Sequence, residues 1–196
     1  MSLSPSAESP TRPLDTLLLC VDLQPVFLRV IADAERLQRR CAFAVAAAHG
    51  LGLPVLFTEQ VPERLGVTQP ELRALAPDAR VLGKRTFSAL ADETIRQAII
   101  NETNTEHVLL CGIETSVCVY QTAIAALAAG LEVTILSDAV GARRTDDARI
   151  CLEALARSGV HVLPAETVFY ALLHDAAHPF FKAYTRLVKD AGEPSP

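Results

Sequence analysis

The chain reads as a single-domain α/β protein of three layers, α/β/α, with helices on both faces of a six-stranded parallel sheet. Three observations predict this. Six short aliphatic runs recur along the chain, and each is followed by a longer segment with helical spacing. The runs are continuously apolar rather than alternating, as strands buried on both faces are. Half of the 196 residues are hydrophobic, yet aromatics make up only 5% and tryptophan is absent, so aliphatic and alanine side chains must fill the interior.

Residues Thr16–Val21 form the first buried run. Leu37, Cys41, Ala44, Val45 and Ala48 then recur at helical spacing, and Gly50 stops that helix. Leu53–Phe57 is a second strand and Arg80–Gly83 a shorter third. A helix over about Asp92 to Glu102 leads to a fourth strand, His107–Cys111, and the next helix carries Val117, Tyr120, Ile124 and Leu127 on one stripe from about Ser116 to Gly130. Glu132–Leu136 is the fifth strand, followed by a helix through Ala148, Leu152 and Leu155 that ends near Gly159. Val160–Leu163 is the sixth, and a terminal helical region holds Phe169, Leu172, Leu173, Phe180, Phe181, Tyr184 and Leu187. The usual doubly wound order for such a sheet is 3-2-1-4-5-6, with ligands in the crevice outside the carboxyl ends of strands one and four.

The Ser/Pro-rich residues 1–13 and the stretch 191–196 read as solvated tails, leaving 14–190 as one domain with no linker or repeat. A net charge of −5 with scattered basic residues argues against a nucleic-acid partner, which needs a concentrated basic stripe. No apolar stretch is long enough to span a membrane, and the start lacks the pattern of a secretory signal. The expectation is a soluble cytoplasmic protein. Five cysteines, odd in number and without CxxC spacing, argue against disulfides and structural zinc, and the five histidines lie on separate elements without ligand-like pairing.

The phosphate-binding glycine loops, the GxSxG elbow and the HExxH helix are all missing. What remains is a polar residue at the end of each of three strands: Asp22 after the first, Lys84 after the third, and Cys118 in the first helical turn after the fourth. With Thr115 or Ser116 as helix cap, Cys118 would stand where backbone N–H groups and the helix dipole favour a thiolate and could hold an oxyanion. Gln24 is read as orienting either a loop or the substrate, and Phe27, Phe87 and Tyr120 as pocket or core. Arg143 and Arg144 read as the solvated start of a helix.

Asp22-Leu23-Gln24, Lys84 within GKRTFSA, Gly112 to Cys118 (GIETSVC) and Ser137-Asp138-Ala139 together resemble the isochorismatase-like cysteine hydrolase superfamily. The likeness runs from about Leu14 to Lys189, and the closing stretch His178 to Lys189 is similar to the isochorismatase domain-containing branch. The resemblance implies a catalytic triad of Asp22, Lys84 and Cys118. It further implies a cis peptide between Ile113 and Glu114, with the backbone N–H groups of Glu114 and Cys118 as oxyanion donors. The nicotinamidase branch holds a metal through an Asp and two His after the second strand. Here that region reads Thr58-Glu59-Gln60 with no His before His107, so no metal and no cofactor is expected.

The function this predicts is metal-independent hydrolysis of a C–N bond in a small amide or imide through an acyl-enzyme. A catalytically quiet binding module of the same fold, and vinyl-ether hydrolysis by Asp22 without the cysteine, are the alternatives. The partners expected are a small-molecule substrate and further copies of the chain, a dimer or higher, with the Phe169 to Leu187 region as a place for the subunit contact.

Overall fold

A computed structural model describes residues 15–102 and 104–192 of the chain. Of the tails expected at 1–13 and 191–196, residues 1–13 and 193–196 lie outside the described residues. Six parallel strands, β1 (Thr16–Val21), β2 (Val55–Gln60), β3 (Arg80–Lys84), β4 (His107–Ile113), β5 (Glu132–Gly141) and β6 (His161–Leu163), form one sheet in the order β3-β2-β1-β4-β5-β6. This is the order that the doubly wound pattern predicts, and it makes β1 and β4 neighbours.

Every residue of β1 is buried, and successive side chains feed opposite layers. Leu18 and Cys20 join Phe57, Leu109 and Cys111 under the helices Ala34–Gly50, Ala165–Leu173 and Phe181–Asp190. Leu17, Leu19 and Val21 join Leu56, Val108, Leu110 and Ile135 under the helices Glu93–Gln97, Tyr120–Ala128 and Thr145–Arg157. The layers are therefore filled as the aliphatic composition requires.

Three departures from the sequence pattern bear on the site. β2 runs on through Thr58, Glu59 and Gln60, which are buried although polar, because each of their side chains finds a partner at the strand end. Five residues, Thr115–Val119, form a wide π turn before the helix Tyr120–Ala128. The deepest face of that segment is Val119, Thr122, Ala123 and Ala126, while Val117, Tyr120, Ile124 and Leu127 are only partly buried at its flank. A π turn adds a residue to the helical repeat, which rotates the stripe expected from an unbroken α spacing.

β5 also outruns its expected end. It pairs with β4 in two registers, Leu110 beside Ile135 and then Gly112 beside Val140, so Leu136–Ala139 bulge opposite Cys111. Asp138 in that bulge accepts the Arg40 guanidinium at 2.7 Å and the Ala165 backbone N–H at 2.8 Å, tying the bulge to two helices. The terminal aromatics serve the chain's own core: Phe43, Phe169 and Tyr184 cluster with ring centroids 5.8 to 6.4 Å apart, and Phe169 and Tyr184 are fully buried.

Candidate active site

The carboxyl ends of β1, β2, β3 and β4 meet at one buried polar cluster. Asp22 follows β1 directly, with φ +52°, a left-handed conformation that Asp tolerates better than most residues. Its backbone N–H reaches Thr58 O at 3.1 Å, and the residue is buried. Thr58 Oγ1 donates to Asp22 Oδ1 at 2.8 Å, and Lys84 Nζ donates to Oδ2 at 2.7 Å. Gly112 makes this approach possible. At φ +112° a Cβ there would sit 2.1 Å from Val21 O, so only glycine lets β4 lie this close beside the residue that carries Asp22.

Lys84 closes β3 and is buried, with four oxygens around its ammonium. Besides Asp22 Oδ2 these are Gln60 Oε1 at 2.6 Å and the backbone oxygens of Thr86 and Phe87 at 3.1 and 3.3 Å. Gln60 Nε2 donates to Arg85 O at 2.9 Å. Gln24 clasps the backbone of Gln60: its Oε1 accepts Gln60 N–H at 2.7 Å and its Nε2 donates to Gln60 O at 3.0 Å. Glu59 accepts the Thr68 backbone N–H at 2.7 Å. The residues after β2 are thus occupied with protein partners, and among the described residues no group of three or more His, Cys, Asp or Glu is gathered as for a metal ion.

Cys118 lies in the π turn, 8% exposed. Neither Thr115 nor Ser116 caps the turn; Glu114 stands in the cap position with extended backbone and makes no capping bond with its side chain. The Ile113–Glu114 peptide is cis. The expectation of a thiolate favoured by a helix N-terminus is overturned. Burial, and then the negative charge of Asp22, push the Cys118 thiol up to about 12; Lys84 pulls in the opposite direction, a hydrogen bond to Asp22 adds to the rise, and the Glu114 backbone lowers it. Its surroundings thus favour the thiol over the thiolate.

A cavity of about 310 Å³ covers this cluster, lined by Asp22, Gln60, Cys118, Phe27, Phe87, Ile113, Val117, Glu114 and Arg143. Lys84 lies behind it rather than in its wall. Of the pocket residues expected from sequence, Phe27 and Phe87 line the cavity, Phe87 as a rim residue 56% exposed. Gln24 and Tyr120 do not; Gln24 is fully buried in its clasp on Gln60, and Tyr120 packs on the hydrophobic layer beside Val117. Sequence reasoning missed Thr58, Gln60 and Arg143. Arg143, two residues past β5, meets Glu114 Oε1 with its Nε at 2.8 Å and lines the cavity while its side chain stays largely exposed, so it is more than a solvated helix start. A second cavity, about 370 Å³, opens at the opposite end of the sheet among Leu17, His49, Asp78 and Arg80, but no cysteine, serine or threonine lines it.

Comparison with known proteins bears on the same segments. The model of the isochorismatase domain matches residues 16–167. The secreted isochorismatase effector Isc1 of Phytophthora sojae is 35% identical over 181 residues, covering 91% of this chain and 86% of its own. Isochorismatase domain-containing protein 2A of Mus musculus is 34% identical over 178 residues, covering 91% and 84%. Among solved structures, MAR1 ribonuclease of Caenorhabditis elegans superposes with a TM-score of 0.86 at 27% identity, covering 96% of this chain and 99% of its own.

Proposed function

The chain belongs to the isochorismatase family of hydrolases, and from that premise we propose that it is a metal-independent cysteine hydrolase that opens a C–N bond of a small amide or imide through an acyl-enzyme. The observation that carries the reading is the pairing of Asp22 and Cys118 in one cavity wall, with Lys84 bonded to the carboxylate from behind. A thiol held near 12 is a poor nucleophile alone, so its proton must leave as the sulfur attacks. Asp22 is the base in place, playing the part of the histidine in better-known triads.

In the forward step Cys118 Sγ bonds to the substrate carbonyl carbon while Asp22 takes the thiol proton. The Glu114 and Cys118 backbone N–H groups hold the oxyanion, and Lys84 stabilises the anionic cluster. Asp22 then returns the proton to the departing nitrogen, the C–N bond breaks, and the thioester remains. Water, deprotonated by Asp22, releases the acid and restores the thiol. Phe27, Phe87, Ile113 and Val117 give the cavity apolar walls for the body of the substrate. Residues 14–190 are the unit that does this; as part of the same proposal it works in the cytoplasm, where five free cysteines stay reduced, and as a homo-oligomer.

The test is a screen of small primary amides by ammonia release and of imides by the acid they form on opening, repeated on Cys118→Ser and Asp22→Asn. Both variants lose turnover and keep the wild-type circular dichroism. Turnover that survives Cys118→Ala sinks the acyl-enzyme and leaves acid–base cleavage by Asp22. The Caenorhabditis relative brings in a second reading, cleavage of RNA. The net charge of −5 and a cavity wall whose cation, Arg143, is already paired with Glu114 weigh against a polyanionic substrate. A short RNA in the same assay separates the two, because salt should abolish RNA binding and leave amide hydrolysis unchanged.

A further inference from the structure

We propose that Gln60 is a positioning residue of this site: it fixes the direction in which Lys84 presents its ammonium to Asp22, and Gln24 acts one step further out by holding Gln60. The inference rests on the reading of Asp22, Lys84 and Cys118 as the reacting cluster.

An ammonium on a four-carbon stem is a freely rotating point charge unless its protons are directed. Lys84 has three protons, and its two shortest bonds go to side-chain oxygens, Gln60 Oε1 at 2.6 Å and Asp22 Oδ2 at 2.7 Å. Gln60 is thus the second side-chain anchor of the ammonium. Its amide has a defined sense, because Nε2 donates to Arg85 O and so Oε1 must face Lys84. Its backbone is equally fixed. The Gln24 amide meets both the N–H and the C=O of Gln60, as a neighbouring strand would, and Gln24 Nε2 also reaches Gly66 O at 2.5 Å. Gln24 is 0% exposed and lines no part of the cavity; its side chain is spent on the Gln60 backbone and on Gly66 O.

The arrangement also explains why a polar pair is kept in a sheet that is otherwise aliphatic. A buried ammonium with one carboxylate has surplus protons, each costly if unmet. An amide oxygen meets one of them without adding a second negative charge beside Asp22, which would compete for the lysine.

The chain contains three lysines, and Lys182 and Lys189 are exposed, so ¹⁵N-lysine labelling isolates the buried one. Exposed ammonium protons exchange with water too fast to be observed; the Lys84 ammonium should give a single slowly exchanging ¹⁵N–¹H signal. Gln60→Met keeps the volume and removes the acceptor, and the Lys84 proton exchange should quicken at least tenfold. A Gln60→Met protein whose Lys84 exchange stays within twofold of wild type overturns the proposal. If Gln60→Met does not fold, Gln24→Ala decides the matter: it loosens Gln60 and should quicken the exchange, and an unchanged Lys84 signal there also overturns the proposal. Alkylation of Cys118 in the same samples tests the hydrolase reading separately, since an inert wild-type thiol would remove that reading whatever the lysine signal shows.

Discussion

Replacing Asp22 by Asn should make the nucleophile more acidic and the enzyme inactive at the same time. The Cys118 thiol sits at about 12, three units above its ordinary 9.0, with burial as the first cause and the Asp22 charge as the second. Three units correspond to about 4 kcal/mol between thiol and thiolate. Asparagine fills the same space but removes the charge and the carboxylate that accepts the thiol proton. Burial remains, and Lys84 and the Glu114 backbone still favour the anion. The thiol should therefore fall by about one to two units, a ten- to hundredfold gain in thiolate at a given pH. The midpoint is read from the ultraviolet thiolate absorbance as a difference from Cys118→Ala, with alkylation of Cys118 mapped by mass spectrometry across the same pH series. Turnover should vanish nonetheless, because no group is left to carry the proton to the leaving nitrogen. A midpoint that stays at the wild-type value or climbs would refute the claim that the Asp22 charge holds the thiol protonated.

Lys84→Met should act in the opposite direction on the thiol, since the cause that lowers its pKa is lost, and should also cost about 3–5 kcal/mol of stability by leaving Asp22 buried without its cation; urea denaturation and the same absorbance titration check the two effects. Gly112→Ala should cost more than about 3 kcal/mol in urea denaturation, because its Cβ would meet Val21 O at 2.1 Å, whereas Gly130→Ala, with φ +84° but open space around it, should cost about 1 kcal/mol. Alkaline stability carries a sign of its own. The unfolded Cys118 thiol ionises near 9 and the folded one near 12, so above pH 9 the unfolded state holds fewer protons and wild-type stability falls by up to about 1.4 kcal/mol per pH unit until about pH 12. Melting temperatures of Cys118→Ala against pH should show a shallower decline over that window, and parallel curves would refute the assignment.

The sheet was legible because its strands are bounded by chemistry that sequence displays. Thr16–Val21 is apolar without interruption, so its ends are plain, and the alternation with helices leaves little choice of topology. Asp22 and Lys84 could be singled out for a related reason, since each is a polar side chain placed where an apolar run stops, and Cys118 because it opens the helix after the fourth run. Thr58, Glu59 and Gln60 were not legible. Their composition reads as the end of a strand, whereas they form its buried second half. What keeps them in the sheet is a set of partners from β1, β3 and the following loops, none adjacent in sequence. Cys118 was misread in its electrostatics for a comparable reason, since a helix-terminus argument counts local N–H groups and misses a carboxylate brought in from the neighbouring strand.

The same contrast explains how the fold makes the site. The sheet is mostly aliphatic and offers little polar solvent, so the charged groups at its carboxyl edge are stabilised by bonding one another. Asp22 is met by Thr58 and Lys84, Lys84 by Gln60, and Gln60 by Gln24 and Arg85 O. Such closure offsets the cost of taking the charges out of water, and it leaves Cys118 and Asp22 in the wall of the cavity. The arrangement has a chemical consequence: a thiol that is almost wholly protonated at rest can still be a nucleophile if its base never has to be found. That is why the high thiol pKa and a hydrolytic role for Cys118 belong together, and why loosening any outer member of the chain should be felt at the sulfur.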